Sequence, residues 1–227
     1  MYPETNVPTQ LLLSEVAGAV GHSVNNLAAY LFSAADQLDE PSNSGDFGSI
    51  KNAVGAACLA ATSLGAALHL LSLHTPDCKM LKKFGQAISD SRLAESISAA
   101  AIDRARLERF EEWPEGVVLA TADTDTIKAA FICAAAYLGK IRMDMPELTY
   151  STHLSKPSEG KTCRICIDLN GKCDQVQNKA RHSHCPFELA LRSLAAVEEE
   201  IGMRVLFPDK NRLRIEVDAR IIDPIQV

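Results

Sequence analysis

LLLSEVAGAVGHSVNNLAAYLFSAADQL, Leu11 to Leu38, sets the fold. Its larger apolar residues Leu13, Val16, Val20, Val24, Leu27, Leu31 and Leu38 recur at three- and four-residue steps, with Ala34 and Ala35 filling the gap, which predicts a helix with an apolar seam. The next ten residues, DEPSNSGDFG (Asp39 to Gly48), are rich in residues that stop helices and make connections. The seam then restarts. Ile50, Val54, Ala57, Ala61, Leu64, Leu68 and Leu71 predict a second helix that ends near Thr75-Pro76, where proline disfavours helix in the residue before it. Two such helices joined by a short connection form an antiparallel hairpin. One hairpin cannot cover all of its own apolar surface, so a partner hairpin is required, and a homodimeric four-helix bundle supplies it most simply.

The rest of the chain has a different texture. Ser89 to Trp113 carries Arg92, Glu95, Asp103, Arg104, Arg106, Glu108, Arg109 and Glu111 and is expected to be a charged helical connector. Beyond Pro114, strands are predicted at Gly116 to Ala120, Glu147 to Leu154, Lys161 to Leu169, Met203 to Phe207 and Arg212 to Ala219. Helices are predicted at Asp125 to Leu138 and Pro186 to Ile201. In the latter, Leu189, Leu191, Leu194, Val197 and Ile201 form an inward stripe. The fold class is therefore α+β, with helices on one face of a sheet. Three parts are expected: a hairpin domain over residues 1–78, a connector over 79–113 and an α/β sandwich over 114–227.

Composition narrows the function. The 227 residues include 23 Lys and Arg against 29 Asp and Glu, a net charge of −6 that offers no uniform basic field to nucleic acid or to an anionic membrane. Asn52 to Pro76 is uncharged and long enough to span a bilayer, but Ala, Gly, Ser and Thr dominate it, so the expectation is no membrane span. The start, MYPETNVPTQ, lacks the pattern of a secretory signal, which predicts a cytoplasmic protein with its seven cysteines reduced.

His22 lies two residues from both Val20 and Val24, so at roughly 100° per residue it points about 200° away from each, opposite the seam. It is expected to be exposed. Its helical neighbours Gly18, Ala19, Asn25 and Asn26 leave room for another protein and provide amides for hydrogen bonding. An exposed imidazole titrating near neutrality is both a nucleophile and a leaving group, as reversible phosphoryl transfer requires.

The run Ala17 to Leu38 resembles the phosphoacceptor helix of sensor histidine kinases, in particular the hybrid kinases with a His-Asp-Phe-Asn-Asn-Leu-Leu motif; His22, Asn25, Asn26 and Leu27 match it. The resemblance implies that His22 accepts phosphate on a dimerisation hairpin and that the second domain has the family's ATP-binding sandwich fold. One departure is Ser23, which stands where the kinases have an acidic proton acceptor. Others fall in the sandwich. VLATADTDTIKAAFICAAAYLGKIRMDMPELTYSTHL (Val118 to Leu154) resembles the first half of the ATP-binding domain, with the family's two helical asparagines falling on Ala136 and Lys140. An ammonium group offers magnesium no oxygen ligand. CRICIDLNGK (Cys163 to Lys172) resembles the strand with the adenine-recognising aspartate, which makes Asp168 a vestigial candidate. Gly171 alone remains of the glycines after it, and RHSHCPFELALRSL lacks the glycine turn that brings backbone amides to phosphate.

Cys163, Cys166, Cys173, His182, His184 and Cys185 suggest a zinc site by spacing. On a strand, however, Cys163 and Cys166 face opposite ways and cannot chelate one ion. No metal and no cofactor are expected. The resemblance is to the ChpT-type histidine phosphotransferases, and it implies a dimeric relay with a response-regulator receiver as partner and a hybrid kinase upstream. Two alternatives stay open: an adaptor or pseudokinase that never carries phosphate, and a working kinase with an altered ATP site.

Overall fold

A computed structural model describes residues 24, 29, 31, 47–74, 86–88, 93, 105–110, 117–141, 148–155, 162–171, 185–209 and 211–222. Helix α1 (Phe47–Ser72) is the second helix expected of the hairpin. Strand β1 (Gln86–Ile88), β2 (Ala105–Phe110) and β3 (Val117–Ala120) precede helix α2 (Thr124–Ile141). Strands β4 (Leu148–Leu154) and β5 (Thr162–Gly171) follow. Helix α3 (Pro186–Ser193) continues through a 3₁₀ turn (Leu194–Ala196) into the short α4 (Glu198–Ile201), and β6 (Met203–Asp209) and β7 (Arg212–Ile222) close the described chain.

The strands form one seven-stranded sheet in the order β1-β3-β7-β5-β4-β2, with β6 also on β7. β7 is its spine. One edge of β7 runs along β5 from Thr162↔Arg220 to Asn170↔Arg212. The other edge is shared end to end by β6, from Met203↔Val217, and β3, from Val117↔Ile222. At the junction, Gly202 closes α4 with φ of 62°, the left-handed region that glycine enters without strain. There the Asp218 amide donates to the Gly202 carbonyl at 2.7 Å and the Thr121 amide to the Asp218 carbonyl at 3.0 Å.

The connector is corrected in part. Leu93 is helical, but Ala105–Phe110, expected within a charged helix, is a strand parallel to β4. β1 pairs antiparallel with β3. The segment read as a connector therefore contributes two strands to the sheet. The free edge of β4 offers a row of unpaired amides and carbonyls, and such a non-local partner overrides the local propensity of ARLERF.

Alternation sorts the sheet's faces. Cys163, Ile165, Ile167 and Leu169 of β5, with Leu213, Ile215, Val217 and Ala219 of β7, are buried in the core. Tyr150 of β4 meets Phe131 of α2 edge-on, with ring centroids 5.1 Å apart, which places this face under the helices. Of the stripe expected from Leu189 to Ile201, Leu191, Leu194 and Val197 are buried. Leu189 and Ile201 are half-buried, while Phe187 and Ala190 complete the inward face.

α2 is buried at every position from Phe131 to Leu138, which a helix apolar all round requires. The sheet covers one side of it, and the other is met by α1, which packs on both α2 and α3. Ala66, Ala67 and Leu70 of α1 belong to the same apolar core as the sheet residues, so α1 adds a third layer. Val54–Ser72 is long and apolar enough to cross a membrane by length and composition, and this packed face consumes part of that apolarity.

Candidate functional site

His22, Gly18, Ala19, Asn25 and Asn26 lie outside the described residues. Their neighbours Val24, Ala29 and Leu31 are helical and exposed. Val24 and Leu31 keep 46% and 51% of their surface accessible, although both belong to the predicted seam. The seam of α1 divides in the same way. Ala57 and Leu64 are buried, whereas Val54 and Leu68 remain 43% and 47% exposed. The exposed residues Val54, Cys58, Ala61, Gly65, Leu68 and Ser72 are spaced four, three, four, three and four apart, an uncharged line with the period of a helix–helix seam. α1 therefore has two faces, one spent on the sandwich and one left open in the single chain.

The spent face ends in two polar contacts that sequence reasoning missed. His69 Nε2 is 3.2 Å from Thr126 Oγ1. The Thr126 hydroxyl donates to Asp123 Oδ2 at 3.1 Å, so it receives its hydrogen bond from the imidazole N–H. Asp123 caps α2, accepting the Thr126 amide at 2.7 Å. Beyond the end of α1, His74 Nε2 is 3.0 Å from Ser193 Oγ, whose hydroxyl donates to the Ala190 carbonyl at 2.8 Å. Burial holds the His74 pKa below its ordinary value, opposed by the charge of Glu200. Asp123-x-x-Thr126 is a legible cap, but nothing in the sequence pairs either histidine with its hydroxyl.

The residues aligned with the nucleotide site do not fit one. Ala136 is buried and offers no ligand oxygen. Lys140 lies in α2, with its side chain outside the described residues. Asp168 alternates with the core-facing Ile167 and Leu169 and so projects from the sheet face away from the helices. Its two oxygens accept from Arg214 Nε and a terminal nitrogen at 2.6 and 3.1 Å, and His153 Nδ1 is 3.6 Å away. A carboxylate clamped in this way is not free to read a base within the sandwich.

Asp168 belongs to an ion-pair lattice on that outer face. Glu216, mostly buried, accepts from Arg204 at 2.5 and 2.8 Å and lies 3.6 Å from Arg164 and 4.0 Å from Arg214. Hydrogen bonds to these carboxylates raise the already high pKa values of Arg204 and Arg214. Cys166, opposite His153 in the register, is pushed up to about 11, mainly by burial. Its thiol stays protonated near neutrality and is no nucleophile.

Cys163 and Cys166 fall on opposite faces of β5, the former in the helix-side core. Cys173, His182 and His184 lie outside the described residues. Among those described, no group of three or more His, Cys, Asp or Glu side chains is arranged to hold a metal. Cys133, buried in α2, has its thiol pKa raised by burial. Cys58, on the open line of α1, is exposed.

No protein-family model matches the sequence, and no curated protein is similar to it. Solved structures are. A bacterial phosphotransferase shares the fold. It superimposes with a TM-score of 0.52 at 12% identity, over 96% of this chain and 100% of that one. Histidine kinases match at lower scores. The AdeS kinase of Acinetobacter baumannii gives a TM-score of 0.43 at 10% identity over 88% of this chain and 96% of its own. The kinase ThkA, in a complex with the response regulator TrrA, gives 0.47 at 10% identity over 92% of this chain and 61% of its own.

Proposed function

We propose that the chain is a histidine phosphotransferase of two-component signalling. It works in the cytoplasm as a homodimeric four-helix bundle and relays a phosphoryl group through His22 to or from a receiver aspartate. The observation that supports this reading is the fold similarity to a bacterial phosphotransferase, which covers 96% of this chain and 100% of that one. The open line on α1, with Val24 and Leu31 also exposed, is the surface that a second hairpin would cover.

In the transfer, a ring nitrogen of His22 attacks the phosphorus of the receiver's acyl phosphate. The P–N bond forms as the bond to the aspartyl oxygen breaks, and the aspartate leaves as a carboxylate; the reverse step rephosphorylates a receiver. Gly18, Ala19, Asn25 and Asn26 would line the contact, and a hybrid kinase would stand upstream. Nucleotide takes no part, in keeping with the clamped Asp168 and with Ala136.

Incubation with a phosphorylated receiver tests this. Label moves to the wild-type chain and not to His22→Ala. Receiver binding with no label on either chain would instead show an adaptor. Magnesium-dependent nucleotide binding followed by self-labelling would show a kinase.

A further inference from the structure

Two described histidines have no part in the transfer reaction, yet both join α1 and the turn after it to the sandwich. His69 spans 57 positions of sequence to Thr126, and His74 spans 119 to Ser193. Between them Leu70 is fully buried, in the same core as the sheet, with Ala66 and Ala67 one turn earlier on the same face. The acceptors are themselves fixed. Thr126 is held by the α2 cap through Asp123, and Ser193 by the Ala190 carbonyl of α3. The two bonds thus secure α1 to two different helices on either side of an apolar contact, which restrains both sliding and rotation.

We infer that this junction is a latch: His69 and His74 are positioning residues that hold the sandwich against the hairpin in one orientation, so both move as a single body. Two bonds on separate helices define an orientation more sharply than the apolar contact of Ala66, Ala67 and Leu70, with Leu71 and Leu73 packed beside it, since alanine faces present little relief and van der Waals contact is not directional. On the relay reading, a receiver then meets hairpin and sandwich as one preassembled surface, with no ordering cost for domain docking.

Residual dipolar couplings of backbone amides, measured on the full chain, test the latch independently of phosphotransfer. For the wild type, couplings from α1 and from β4, β5 and β7 fit one alignment tensor. In His69→Ala/His74→Ala each set still fits a tensor of its own, showing both parts folded, but the two tensors differ. His69→Gln/His74→Gln keeps a donor near the Nε2 position and restores the single tensor. A wild-type chain that needs two tensors overturns the inference, as does an alanine variant that retains one. Failure of His22 to accept phosphate would end the relay reading and leave these couplings unchanged.

Discussion

His74 Nε2 donates to Ser193 Oγ across 119 positions of sequence, and the serine hydroxyl in turn donates to the Ala190 carbonyl. The imidazole is a half-buried donor whose pKa burial holds below its ordinary value. That fixes the sign of its pH dependence. A histidine whose folded pKa lies below its unfolded value binds its proton more readily in the unfolded chain, so protonation favours unfolding. The penalty is absent well above the ordinary value of 6.5, grows as pH falls through it, and levels off below the folded pKa. Urea midpoints of wild type and His74→Gln, compared from pH 8 to pH 5, should converge as pH falls. Parallel curves would contradict this.

Leu70→Ala removes a side chain with no accessible surface from the contact of α1 with α2 and α3. A loss of about 2–5 kcal/mol in unfolding free energy is expected. Leu68→Ala, two residues away on the open face, should cost a monomer far less. Chemical denaturation of the two variants at several protein concentrations separates core loss from dimer loss.

Leu68→Asp and Val54→Asp place charge on the open line of α1 without touching the packed face. In an isologous pairing each substitution counts twice, and an unpaired carboxylate in an apolar contact is costly. Sedimentation velocity should give a dimer for wild type and a monomer for the double variant, with circular dichroism retained. A wild-type monomer would refute the four-helix bundle.

Gly202→Ala should destabilise the sandwich. The left-handed backbone costs a residue with Cβ roughly 1–2 kcal/mol. The added carbon would also lie 2.8 Å from Thr121 Cβ, so Thr121 must shift. A melting temperature lowered by several degrees is the expected result, and Thr121→Ala in the same chain should recover part of it.

The sequence carried much of this fold because periodicity was clean where one partner decided burial. β5 and β7 place every second residue in the core under the helices, and the expected strands fall within two or three residues of those found. It failed where a distant partner decided. Ala105–Phe110 has the charge of a solvated helix and becomes a strand only because β4 has an edge to offer. The α1 seam was legible as apolar, but Leu70 and Ala67 were not separable from Leu68 without knowing that α2 and α3 stand on one side. Asp168 was found by resemblance, and its face could have been read from alternation with Ile167 and Leu169. Its clamp by Arg214 depends on a cross-strand register that no local pattern encodes.

The placing of β7 also governs how the protein can be made. β3 and β5 touch β7 and not each other, so before Arg212–Ile222 leaves the ribosome the sheet exists only as two separate fragments, β1 with β3 and β2 with β4 and β5. Each would expose the apolar face that α2 later covers. The sandwich is thus completed only once Arg212–Ile222 is available, and a nascent chain stalled before Arg212 would present chaperones with an open, adhesive surface.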